Sequence, residues 1–264
     1  MMNYAHLLLE ERGQDLFVWM NRPDVHNAFN DEMIAEFVDL FSSASRLSRY
    51  RAVVLGGKGK NFCAGADLNW MSAMVSYTRA ENIRDSSLMA KMFDLLDSCP
   101  VPLIGRVQGA AIGGGVGLVA VCDIAIAQSS SRFGLAEVKL GILPAVISPY
   151  VIAKIGVSAA RALFLTGERF DAARALRIGL VHRLVDDEAD LEAAITETLA
   201  DVATSGPEAV RACKKLIAFV STNEVGEAIP YTIEAIAERR ISDEGQQGMK
   251  AFLGKQSPPW TPER

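Results

Sequence analysis

The chain of 264 residues reads as an α/β fold followed by a helical C-terminal region. Three observations carry this reading. Short apolar runs alternate with longer stretches of helical period, the pattern that crossovers between parallel strands impose. From Ser158 onward, helical period dominates. Ahead of that shift, GAAIGGGVGLVAVCD at 109–123 sets a glycine cluster at the opening of a helix. The boundary falls near residue 200, giving a core at 1–200 and a helical region at 201–264.

Each element follows in order. Residues 7–10 and 16–20 alternate in polarity around Arg12-Gly13-Gln14-Asp15 and predict a hairpin. Asn21-Arg22-Pro23-Asp24 then breaks the second strand, because proline has no N–H to give a ladder. Residues 30–47 have helical period, with Ile34, Phe37, Val38 and Phe41 on one face and Asn30 as cap. Residues 52–55 predict a short strand running into the loop Gly56-Gly57-Lys58-Gly59-Lys60, and 62–67 a tight turn of small residues. Residues 79–97 predict a long amphipathic helix stopped by Pro100 and Pro102. A strand at 102–107, the glycine-opened helix at 113–121 and a strand at 123–127 come next. Helices are predicted at 159–166, 171–177, 190–204, 207–220 and 231–240, with Ser257-Pro258-Pro259-Trp260 as an extended end.

Composition excludes several classes. Hydrophobic residues make up 50% and charged residues 22%, an ordinary globular profile. The net charge of −5 argues against a nucleic-acid partner. Cys63, Cys99, Cys122 and Cys213 form no C-x-x-C pair, which predicts buried free thiols in a reducing compartment. His6, His26 and His182 lack metal-ligand spacing, so no metal is expected. The start, MMNYAHLLLEERGQDL, lacks the basic and apolar regions of a signal peptide, and the longest uncharged stretch, 107–122, is too short and glycine-rich for a membrane span. These features predict a cytoplasmic protein with no membrane segment.

The glycine cluster is where chemistry is sought. The first N–H groups of a helix have no internal partner and can hold a phosphate or a developing oxyanion; close packing of a helix on its neighbours uses glycine too. Gly115-Val116-Gly117-Leu118-Val119-Ala120 has the form of a dinucleotide fingerprint, but the next strand ends at Ala127-Gln128 without the acid that would bind a ribose. The chain has no G-x-x-x-x-G-K-[ST] loop and no G-x-S-x-G nucleophile motif. Glu137, in Phe133-Gly134-Leu135-Ala136-Glu137-Val138, fits better: a carboxyl among apolar neighbours has the raised pKa of an acid/base, against the plain alternative of a solvated glutamate at a helix start.

Four blocks in order resemble the enoyl-CoA hydratase/isomerase (crotonase) superfamily: NRPDVHNAFN at 21–30, FCAGADLNWM at 62–71, GAAIGGGVGLVAVCDIAIA at 109–127 and FGLAEVKLGILPAVISPYV at 133–151. TGERFDAARALRIGLVHRLV at 166–185 and GMKAFLGKQSPPW at 248–260 fit as well, and the set looks most like the methylglutaconyl-CoA and isohexenylglutaconyl-CoA hydratase branch. The resemblance implies a crotonase (ClpP-like) spiral of ββα units with a helical C-terminal trimerisation region, in homotrimers or dimers of trimers. It implies an acyl-CoA thioester as substrate, with coenzyme A as part of that substrate and no separate cofactor. It gives the oxyanion hole to the N–H groups of Ala66 and Gly114, and the acid/base role to Glu137. Ala64, Ala66, Asp67, Leu68 and Asn69 then line the CoA groove, Arg22, Val25 and Ala28 the adenosine site, and Phe252 and Lys255 reach the CoA of a neighbouring subunit.

One departure stands out. Hydratases of the family carry a second catalytic glutamate where this chain has Gly117. The expectation is that the missing carboxylate suits a branched or acidic acyl group, with Glu137 activating water and returning the proton. Hydration of a branched, glutaconyl-type 2-enoyl-CoA is therefore the first functional expectation. Double-bond isomerisation, which needs one shuttling base, is the second. A non-catalytic CoA- or RNA-binding partner is the third, and it is disfavoured by the intact Ala66, Gly114 and Glu137.

Overall fold

A computed structural model describes residues 4–262. The predicted hairpin is β1 (Leu7–Arg12) and β2 (Asp15–Met20), antiparallel, with Arg12 opposite Asp15. β2 then begins a parallel series with β3 (Val53–Gly57), β4 (Leu103–Val107), β6 (Ile124–Gln128) and β9 (Arg183–Val185). The six-stranded sheet runs in the order β1-β2-β3-β4-β6-β9. Its alternation is visible residue by residue. Leu16, Val18, Met20, Val53, Leu55, Leu103 and Val107 face the larger core. Phe17, Trp19, Val54, Ile104 and Ile126 face the other way, beneath Leu191, Ala194 and Ile195 of helix α8 (Glu188–Ala203).

A second, small sheet lies past the first. Its strands are β5 (Ala110–Ile112), β7 (Arg132–Gly134) and β8 (Arg169–Asp171), in that order. Isolated parallel bridges extend it: Cys63 pairs with Ala111, and Phe29 with Ala66. Each turn of the chain therefore repeats one unit: a strand of the large sheet, a short segment of the small sheet, then a helix. β2 leads to Phe29 and α1 (Asp31–Phe41); β3 to residues 63–66, α3 (Leu68–Met74) and α4 (Arg79–Asp97). β4 leads to β5 and α5 (Gly114–Ala120); β6 to β7, a 3-10 turn at Glu137–Leu140 and α6 (Ser148–Thr166). This is the expected spiral of ββα units.

Local differences from the sequence reading have local causes. The helix predicted at 30–47 stops at Phe41 and resumes as α2 (Ala44–Leu47); Asn30 caps α1 by accepting from the Met33 N–H at 2.9 Å. The strand predicted at 52–55 continues through Gly57, because Gly56 and Gly57 remain paired with Trp19 and Met20. α4 has the predicted limits, yet only Met92, Phe93 and Leu96 of its last turns are buried, so its first half is not a core-facing amphipathic helix. α3, α11 and the three-residue strands β5, β7, β8 and β9 were not legible. α6 has the length and apolar composition of a membrane span; Gly156 at φ +74° breaks it, and Val151, Ile155, Ala160 and Leu163 pack in the core. Cys63, Cys99 and Cys122 are buried free thiols as expected, but Cys213 is exposed.

Beyond α8 come α9 (Pro207–Thr222), α10 (Val225–Ile241) and α11 (Asp243–Leu253), which pack on one another. Phe219 of α9 stacks on Tyr231 of α10, centroids 4.1 Å apart. Lys214 ties α9 to the main sheet through Asp123 at 2.5 Å. The C-terminal end folds back, with the Trp260 indole N–H donating to the Thr204 carbonyl at 3.1 Å.

Candidate active site

The site arises where three turns of the spiral meet at the small sheet. In the bridge between Phe29 and Ala66, the Phe29 N–H donates to the Gly65 carbonyl at 2.7 Å and the Asp67 N–H to the Phe29 carbonyl at 2.7 Å. A parallel pairing of this kind engages the residues flanking Ala66 and turns the Ala66 N–H to the opposite side. Among the described residues that N–H has no hydrogen-bond partner.

The segment is held firmly from both ends. The Cys63 N–H donates to the Ala110 carbonyl at 3.0 Å, and the Ile112 N–H to the Cys63 carbonyl at 2.9 Å. Asp67 caps α3 by accepting from the Asn69 N–H at 2.8 Å and pairs with the Arg22 guanidinium at 2.9 Å. Burial pushes the Asp67 carboxyl up, but the Asn69 N–H and Arg22 outweigh it and leave its pKa below the usual value. Arg22 also donates to the Ala28 carbonyl at 2.6 Å. Arg22 and Asp67 therefore act mainly as pins on this loop.

α5 enters from the next turn. Gly113 sits at φ +54°, a left-handed conformation that suits glycine, and its N–H donates to the Gly134 carbonyl at 2.8 Å. Gly114 is the first helical residue, and its N–H has no acceptor among the described residues. A Cβ on Gly114 would overlap the Phe29 ring, meeting Cε2 most closely and Cδ2 at 3.1 Å. Phe29 thus touches both donors' segments, pairing with Ala66 through its backbone and covering Gly114 with its ring.

Glu137 reaches the same place through sheet register. β5 and β7 run parallel with Ile112 opposite Gly134, so the chain leaves both strands side by side. Glu137, three residues past Gly134, turns its carboxylate back over Gly113: Oε1 is 3.1 Å from where a Cβ on Gly113 would stand. Oε2 is buried and has no hydrogen-bond partner among the described residues. Burial raises the Glu137 pKa, opposed by its own backbone N–H. A half-buried carboxylate with one unsatisfied oxygen, over the residue that precedes the unpartnered Gly114 N–H, is suited to proton transfer next to a developing oxyanion.

The sign of the pH dependence follows. The folded protein holds the Glu137 proton more tightly than the unfolded chain, so this group's contribution to stability falls as pH rises from the ordinary 4.5 through the higher folded value, then levels. As a base, Glu137 must be ionised. The acid limb of kcat/KM is therefore expected above pH 4.5, and Glu137→Gln should lose that limb; a pH–rate profile checks it.

The other predicted site residues are dispersed. Ala64 is partly exposed two residues before Ala66, and Leu68 and Asn69 are exposed on the first turn of α3. Val25 is exposed and Ala28 buried. Phe252 is 80% exposed on α11, and Lys255 follows it at φ +52°. α11 packs on α9 and α10. An open cleft of about 560 Å³ along α4, lined by Tyr77, Arg84, Leu88 and Lys91 among others, contains none of these groups.

Gly117 is buried, and neighbouring side chains leave no room for a Cβ at its α-carbon. A Cβ there would lie 3.0 Å from Ile147 Cβ, closer still to Ile147 Cγ2, and 2.9 Å from Phe93 Cε1. The expectation that Gly117 leaves free room for an acyl branch needs this correction: Ile147 fills that room. Ile147, Phe93 and Phe29 were not singled out as site residues. Phe29 and Ile147 lie inside the quoted blocks 21–30 and 133–151, but only packing across turns assigns them their places.

Known proteins resemble the chain over nearly its whole length. The family model described as enoyl-CoA hydratase/isomerase matches residues 15–263. The short-chain-enoyl-CoA hydratase of Clostridium acetobutylicum is 32% identical over 256 residues, covering 96% of this chain and 97% of that protein. The crystal structure of an enoyl-CoA hydratase/isomerase (crotonase) homologue from Legionella pneumophila superposes with a TM-score of 0.90 at 43% identity, covering 98% of this chain and all of the other. An enoyl-CoA hydratase from Shewanella pealeana superposes at 0.92 with 39% identity, covering 97% and 96%.

Proposed function

The chain belongs to the enoyl-CoA hydratase/isomerase family, and from that premise we propose that it adds water across the double bond of a branched, glutaconyl-type 2-enoyl-CoA, such as methylglutaconyl-CoA or isohexenylglutaconyl-CoA. The observation that carries the reaction is the carboxylate of Glu137 over Gly113, the residue before Gly114, whose N–H, like that of Ala66, is unpartnered among the described residues.

In this reading the thioester carbonyl oxygen accepts from Ala66 and Gly114. Glu137 takes a proton from water as the water oxygen bonds to the β-carbon. The electron pair of the double bond moves through the α-carbon to the carbonyl oxygen, where the two N–H groups stabilise the enolate. The α-carbon then collects the proton from Glu137, which returns to carboxylate. One water is added and the protein is unchanged.

The finer substrate reading rests on the sequence blocks and on Gly117, where a glutamate would set a second negative charge near an acidic acyl group. A panel of linear, branched and carboxylated 2-enoyl-CoA thioesters tests it. Highest kcat/KM for the branched acid supports it; a preference for short linear chains overturns it. The single carboxylate also favours a second reading, double-bond isomerisation, because one base can carry a proton between two carbons. Oxygen-18 water separates the two, since hydration places the label in a hydroxyacyl product and isomerisation places none.

Assembly belongs to the same proposal. Ile217, Ile229, Ile233 and Ile236 stay exposed on α9 and α10, more apolar surface than a solvated helical pair carries. A homotrimer, alone or paired into a hexamer, would cover it, and Phe252 and Lys255 would then meet the CoA of a neighbour. Light scattering is expected to give a trimer or hexamer, and Lys255→Ala to raise KM with little change in kcat. An active monomer would refute the assembly, and an unchanged KM the role of Lys255.

A further inference from the structure

Gly113 and Gly117 lie one helical turn apart on α5, joined by the Gly117 N–H to Gly113 carbonyl bond at 3.3 Å. Gly113 is the N-cap of α5 and Gly117 lies inside it, and each leaves its α-carbon bare to a neighbouring segment. Over Gly113 stands the Glu137 carboxylate; over Gly117 stand Ile147 and Phe93. Ile147 is 3% exposed and Phe93 is fully buried. Phe93 is braced edge-on by Phe29 at 6.4 Å and by the tilted ring of Tyr150 at 6.0 Å. The start of α5 is thus met by a carboxylate, and its next turn by a braced apolar wall.

The close contact to Gly117 comes from Ile147 Cβ and Cγ2, atoms next to the backbone that have little freedom to move aside. Ile147 and any side chain at 117 therefore exclude one another. We propose that Ile147 is a specificity-determining residue: packed on the bare α-carbon of Gly117, it closes the acyl pocket one helical turn beyond Glu137 and takes the space a second carboxylate at 117 would need. The proposal rests on Glu137 being the acid/base. It deepens that reading by naming the substrate feature sensed: acyl bulk on the side of the double bond away from the thioester. An acyl chain crossing Glu137 along α5 meets a branched aliphatic wall and must turn or end there.

The test uses the intact assembled protein and two sets of variants. Ile147→Val and Ile147→Ala are assayed on 2-enoyl-CoA thioesters of increasing length and branching. Expected is a graded rise, reaching about 10-fold in Ile147→Ala, in the kcat/KM ratio of the longest to the shortest substrate, carried mainly by KM. Destabilisation alone would lower all substrates together and leave that ratio fixed. Gly117→Glu is expected to lower Tm by about 5 °C or more through overpacking, and Gly117→Glu with Ile147→Gly to recover most of it. Unchanged ratios in Ile147→Ala, or a Gly117→Glu variant as heat-stable as the native protein, would overturn the proposal. Glu137→Gln separates the two levels: full activity in that variant defeats the acid/base reading, whereas its inactivation beside flat Ile147 ratios defeats the pocket assignment alone.

Discussion

Glu137→Gln is expected to lower kcat by about 100-fold or more while leaving KM for the thioester within a few-fold of native. The amide keeps the shape of the carboxyl and its place over Gly113, but neither accepts a proton from water nor returns one. The loss should be unusually complete because the side chains packed on α5 next to Glu137 offer no alternative base. One turn on, the neighbours are Ile147 and Phe93. The variant should also be somewhat more stable than native above the carboxyl's raised pKa, since it no longer holds a desolvated charge. Kinetics and a urea titration at pH 5 and pH 8 check both statements. Near-native turnover in Glu137→Gln would show that another group performs the proton transfer.

The second large effect is expected from the backbone. Replacing the amide N–H of residue 114 with an ester oxygen, by placing glycolate there, deletes one oxyanion donor without adding an atom near Phe29. A side-chain substitution lacks that cleanness, because any Cβ at 114 would overlap the Phe29 ring. One donor aimed at a developing oxyanion is worth about 3 kcal/mol, so kcat should fall by about 100-fold or more. The same change at residue 66 should have an effect of similar size, and the two should combine less than additively if both grip one oxygen. An ester at 114 with native kcat would show that this N–H plays no part in the transition state.

Much of this molecule was legible before any coordinates. The two-residue turn at Gly13-Gln14, the cap at Asn30 and the stop before Pro100 depend on groups a few residues apart, so local sequence determines them. The glycine run before α5 announced a backbone approached closely, and the apolar setting of Glu137 announced a desolvated carboxyl, as the structure has it. The segments β5, β7 and β8 were not legible, because three residues are too few for a period of two to rise above chance. They nevertheless build the site: the register of Ile112 opposite Gly134 carries Glu137 over Gly113.

The exposed first half of α4 and the exposed Cys213 likewise depend on which neighbours arrive, not on the residues themselves. Gly117 is the clearest division between the two. Its identity, and the absence of a glutamate there, are properties of the sequence. That Ile147, thirty positions away, fills the space above its α-carbon was decided by α6 packing on α5. Local propensity acts through torsions and hydrogen bonds within a few residues, whereas the volume left beside a glycine is a property of close packing among segments that only the folded chain brings together.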